Sequence, residues 1–207
     1  MPRTLKYKNF APQDSRYVPL TQQRWLCVPT CIQIVMFSHN IPLFPAELMA
    51  HYFGVVVPKE DAKLFYRVHV SKRPLAGYGT QLREESAANK MFKELKIPLR
   101  MKWHLISEFR SLEEFRKYLN ETKSEDIDVI ACFDYKKLYR SGNPGGHVCV
   151  LDKIYLTKNK VRLVDPIYIG PKWRVVLIPD LYRAMVFHGS GNGAGFWKLS
   201  YTRRKSG

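Results

Sequence analysis

Apolar positions change their spacing partway along this chain. Helical runs broken by prolines and glycines fill the first half, and strand-like alternation fills most of the second. The most apolar run lies within QQRWLCVPTCIQIVMFSHN, residues 22–40. Ile32, Ile34, Val35, Met36 and Phe37 make it an expected buried central helix. Pro29 suits its first turn, where the missing N–H has no helical partner. Ile41-Pro42 and Phe44-Pro45 break the chain, and a second helix is expected from Pro45 to a stop at Gly54. Residues 55–57 read as a short strand or buried loop. Residues 59–80 keep no clean period and read as an insertion that caps a cleft, with Ala76-Gly77-Tyr78-Gly79 as a loop.

Apolar spacing at Ala87, Met91, Phe92 and Leu95 predicts a third helix, and residues 97–106 alternate as a strand. Ser111 followed by Glu114 is a capping-box signature that opens the helix SLEEFRKYLN. Beyond a polar turn the chain becomes β-rich. Residues 127–133 have the length of a buried strand, and SGNPGG at 141–146 is a turn cluster. The strands HVCVLDKIYL and KVRLVDP follow, then one at residues 173–177. A short helix begins at Pro179, a glycine loop occupies 189–195, and FWKLSYT closes the series. No repeat or linker divides this order, so residues 1–207 read as one domain, with 1–20 as an extended arm. Helices first and a mostly antiparallel sheet afterwards make the expected class α+β.

The charge balance adds a constraint. There are 34 Lys+Arg against 18 Asp+Glu, a formal net charge of +16, which favours acidic partners. The basic residues are spread along the chain, as on a solvated surface, and do not gather in one nucleic-acid-binding arm. No apolar segment of signal-peptide type opens the sequence, and no run nears the ~20 apolar residues of a membrane-spanning helix. Four cysteines are too few for a disulfide scaffold, so a reducing, cytoplasmic setting is expected.

Candidate chemistry starts at Cys27, placed at or just before the first helix's N-terminus, where free N–H groups and the helix dipole favour a thiolate. A thiol nucleophile needs a base, a group to orient that base, and oxyanion donors. His147 opens a strand directly after Gly145-Gly146, whose small size leaves room for a substrate backbone. Asp165 ends the neighbouring strand before Pro166, within reach of the His147 ring if the two strands pair. Gln22 or Gln23 can supply a side-chain N–H to the oxyanion. Cys31, inside the apolar helix, reads as a core thiol, and His39, His51, His69, His104 and His188 read as structural. A competing arrangement is a zinc site in which the helical face of Cys27 and Cys31 meets the strand face of His147 and Cys149. The loop GSGNGAG lacks the lysine of a phosphate-binding loop, so no nucleotide cofactor is expected.

Glutamine, then cysteine at a helix start, then a strand-borne histidine and Asp-Pro: this order resembles the papain-like cysteine peptidases. More narrowly it is similar to the bacteriocin-processing branch, the double-glycine leader peptidases, whose third triad member is Asp. The resemblance rests on residues 17–40 and 145–166. It implies a papain-like fold with Cys27 as nucleophile, His147 as base, Asp165 as orienter and Gln22 as oxyanion donor. It also implies a protein or peptide substrate and no metal or cofactor. Val28 stands where the family usually carries glycine. The other class of reading is a basic binding module without turnover, using Tyr7, Phe10, Tyr17, Trp103, Tyr139, Trp173 and Tyr201 among basic residues to hold nucleic acid.

Overall fold

Helix α1 (Cys27–Ser38) starts at the cysteine itself and is buried almost throughout from Val28 to Met36. The computed structural model describes residues 14–66, 68–123 and 127–202, so the first thirteen residues of the expected arm, with Tyr7 and Phe10, lie outside the described residues. Helix α2 (Ala46–Tyr52) follows the prolines, and strand β1 (Val56–Val57) pairs in parallel with β2 (His69–Val70). Helix α3 (Glu85–Glu94) buries Ala88, Met91 and Phe92. After strand β3 (Leu99–Leu105), helix α4 (Leu112–Lys123) opens as its capping signature predicts. The Ser111 hydroxyl accepts from the Glu114 N–H, and the Glu114 carboxylate reaches back to the N–H of Arg110.

The rest is strand β4 (Asp128–Asp134), helix α5 (Tyr135–Tyr139), β5 (Gly146–Tyr155), β6 (Lys160–Val164), β7 (Trp173–Leu177), helix α6 (Ile178–His188) and β8 (Gly195–Tyr201). The turn of helix at α5 has no counterpart in the sequence reading, because five residues are too few to show a helical period. Strands β3 to β8 form one six-stranded antiparallel sheet in the order β3-β8-β4-β5-β6-β7, so the class is α+β.

Strand alternation divides the apolar side chains between two faces. Ile130, Cys132, Val148, Val150 and Trp197 pack under α1. Their neighbours Ala131, Phe133, Cys149, Leu151 and Phe196 pack under α4 and α6. Helices therefore cover both faces, and the ends of β5 and β6 come out at the edge where α1 begins. No helix among the described residues is long and apolar enough to cross a membrane.

Candidate functional site

Cys27 holds the first helical position of α1. That helix end has no side-chain cap and no acidic residue in its first turn, so its dipole is left unopposed beside the thiol. The helix start is locked by the Leu26 carbonyl, which accepts from both the N–H and the hydroxyl of Thr30, at 3.1 and 2.8 Å.

Two residues earlier, Trp25 has φ 72, a left-handed backbone that a bulky side chain keeps only where its surroundings enforce it. The enforcing group is Asp61, buried in the 3₁₀ turn Lys59–Leu64. Its carboxylate accepts the Trp25 indole N–H at 2.7 Å and pairs with Arg24 at 3.2 Å. The Trp25 ring also lies 5.4 Å from that of Tyr78. Segment 59–80 thus braces the loop that leads to the thiol, besides lining the cleft.

The two rival glutamines have separate jobs. Gln23 donates to the Leu64 carbonyl at 2.7 Å, which ties the same loop to the 3₁₀ turn. Gln22 lines the cleft with Cys27, held through its backbone N–H to the Pro166 carbonyl at 2.7 Å. The Gln22 Oε1 is buried and makes no hydrogen bond among the described residues, so this amide is not locked into the fold.

His147 is the second residue of β5, and Asp165 follows directly on β6. Val150 pairs with Val164, and extending that register brings Asp165 alongside Cys149 with His147 one pleat away. The His147 Nε2 and Asp165 Oδ1 are 2.7 Å apart, both side chains buried. Asp165 Oδ1 also accepts the Ile167 N–H at 3.0 Å, and Oδ2 forms a 2.8 Å ion pair with Arg174 Nε. Burial opposes charge on both members. Even so, Asp165 holds the imidazole well above its ordinary 6.5, and burial of Asp165 is outweighed by His147 and Arg174, which keep it below 3.8. With Nε2–H donating to the carboxylate, Nδ1 is the ring nitrogen left for a thiol.

Cys27 and His147 approach from opposite faces of the sheet. Cys27 packs against the cluster beneath α1. The His147 ring lies edge-on to Phe133 and Tyr135, at 5.9 and 5.2 Å, and Phe133 belongs to the cluster beneath α6. They meet at the end of β5, lining one cleft of about 490 Å³. No hydrogen bond joins them among the described residues. Residues 73–83, the 142–148 turn and residues 167–169 form the other walls. Arg24, Arg73 and Arg83 line the cleft, and among the described residues no Asp or Glu does.

The expected room beside Gly145-Gly146 is occupied by the protein itself. A Cβ on Gly146 would stand 2.7 Å from the His188 Nε2, and one on Gly145, where φ is +142, would stand 3.4 Å from the Ala76 Cα. The glycines let the 73–83 segment and His188 close against the strand start. Asp134 fixes this turn by accepting the N–H groups of Lys137, at 2.7 Å, and Gly145, at 3.2 Å.

The remaining thiols are core groups. Cys31 donates to the Val148 carbonyl at 3.4 Å, and burial drives its proton affinity well up. Burial also raises Cys132, and pushes Cys149 up to about 11. The residues of the competing zinc arrangement do not gather together among the described residues, where another grouping occurs. His147, Cys149 and Asp165 have ligand atoms within 4.8 Å of one another, without Cys27 or Cys31. The Arg174 cation already sits on the Asp165 carboxylate, which disfavours a second cation there. Of the aromatics read as a nucleic-acid platform, Tyr17 and Trp103 are buried, Tyr139 lies beneath Arg174, Tyr201 is exposed, and Tyr7 and Phe10 lie outside the described residues.

Arg174, Asp61, Asp134 and His188 had no sequence signal tying them to the site; the charge at Arg174, within the run WRVVL, was the nearest to one. No protein-family model and no curated relative matches this chain.

Proposed function

We propose that this protein is a papain-like cysteine peptidase, or a related thiol amidohydrolase, cleaving a peptide or isopeptide bond through a thioester. The supporting observation is the buried His147–Asp165 pair at 2.7 Å, opening into the same cleft as a cysteine on an uncapped helix N-terminus. The Cys27 thiolate attacks the carbonyl carbon and a C–S bond forms. The oxyanion lies against the Cys27 N–H and the Gln22 amide. His147 Nδ1 then gives its proton to the leaving amine as the C–N bond breaks. Water next attacks the thioester, His147 takes its proton, and the acid leaves with the thiolate restored. Arginines along the cleft favour a substrate with carboxylates near the scissile bond.

The test is alkylation by iodoacetamide across pH, mapped to each cysteine by mass spectrometry. Cys27 is expected to react fast well below about pH 8, the ordinary thiol range, while Cys31, Cys132 and Cys149 stay slow. His147→Ala is expected to remove that advantage. Uniformly slow thiols, or a fast Cys27 indifferent to His147→Ala, would reject the reading.

A further inference from the structure

Asp165 has two oxygens, and the proposed chemistry uses one. The second, Oδ2, lies 2.8 Å from the Arg174 Nε, a charge contact without hydrogen-bond geometry, on a carboxylate with no solvent exposure. Arg174 is itself buried. Its guanidinium stacks 4.1 Å from the Tyr139 ring centre, and its Nη2 donates to the Tyr135 hydroxyl at 3.4 Å. Tyr135 in turn sets its ring edge-on to His147. Gly170, at φ +122, leaves the guanidinium its space, since a Cβ there would lie 3.0 Å from Nη2. The row Cys27, His147, Asp165, Arg174 therefore runs inward from the cleft to a cation held between aromatic rings.

We propose that Arg174 is a positioning residue of this site, its positive charge against the second oxygen of Asp165 keeping the carboxylate ionised so that the first oxygen goes on accepting from His147 Nε2–H. This rests on the acyl-transfer reading above. The physical need is plain. A carboxylate buried without a counter-cation takes up a proton or turns toward another donor, and either change frees the imidazole to adopt the wrong tautomer. A planar guanidinium stacked on a ring fixes the orientation in a way that an ammonium does not.

The experiment compares Arg174→Met and Arg174→Lys with the wild type. It reads the pH dependence of Cys27 alkylation by iodoacetamide together with the melting temperature. Arg162→Met is the control: Arg162 is equally buried in the same sheet and pairs with Asp152, outside the cleft. Arg174→Met is expected to move the onset of Cys27 reactivity upward by about one pH unit, so that alkylation near pH 6 slows roughly tenfold. Arg174→Lys should recover part of that shift, and Arg162→Met should lower the melting temperature without moving the onset. An Arg174→Met profile superimposable on wild type, or an equal shift in Arg162→Met, overturns the proposal. If Arg174→Met does not fold, Arg174→Lys decides: an onset unchanged from wild type overturns the proposal, and an onset moved upward supports it. If the wild-type Cys27 is slow and insensitive to His147→Ala, the acyl-transfer reading falls first and takes this one with it.

Discussion

His147 and Asp165 form a buried pair whose charges are maintained chiefly by one another, with Cys149 beside the imidazole and Arg174 and the Ile167 N–H on the carboxylate. The consequence for stability has a definite sign. His147 gains proton affinity on folding, so its contribution is complete below about 6.5 and is lost as pH rises through its higher folded value. Asp165 is depressed, so its contribution is complete above 3.8 and is lost as pH falls through its lower folded value. Both are whole between these limits. Asp165→Asn is expected to lose most stability relative to wild type at pH 4–6.5, with the difference shrinking toward alkaline pH. Thermal melts across pH check this, and a difference constant with pH would contradict the pair's ionisation. Cys27, His147 and Asp165 were legible as candidate residues, and Gln22 only as a rival of Gln23. Arg174 was not, because an arginine in WRVVL shows nothing of the strand that will face it.

At the level of elements, the loop before Cys27 depends on a segment far from it in sequence. Asp61 holds both Trp25 and Arg24, and Gln23 bonds to the Leu64 carbonyl. The Arg24 pair is half exposed and contributes little, whereas the Trp25 bond maintains a left-handed backbone beside the nucleophile. Asp61→Ala is expected to cost about 1–3 kcal/mol, the range for a buried donor left unpaired. It should also slow Cys27 alkylation, as Trp25 relaxes and displaces Gln22 and the first turn of α1. Denaturant melts and the alkylation rate check the two parts, and an unchanged rate would show that the loop holds its shape unaided. The helices and long strands were readable because their periods run over many residues. Residues 59–80 were not, since a 3₁₀ turn and a two-residue strand are too short to repeat.

Across the whole molecule, a net charge of +16 surrounds a cleft lined by arginines and, among the described residues, by no carboxylate. Long-range attraction of this kind acts on encounter, so it is screened by salt. For a peptide carrying acidic residues beside the scissile bond, kcat/KM is expected to fall several-fold between about 20 and 300 mM salt while kcat changes little. An uncharged peptide of equal length should show no such fall. Equal salt dependence for the two would remove the arginines from substrate selection.

The sequence by itself determined the α+β order, the buried first helix with Cys27 at its head, the histidine at the start of one strand and the aspartate at the end of the next. Each follows from local periodicity, a proline or a glycine, which need no distant partner. Only the tertiary structure decided that Cys27 and His147 arrive from opposite faces of the sheet. It also chose Gln22 over Gln23 for the cleft and set Arg174 behind Asp165. These depend on strand order, twist and the packing of separate segments against one another, and no pattern along the chain encodes a neighbour across it.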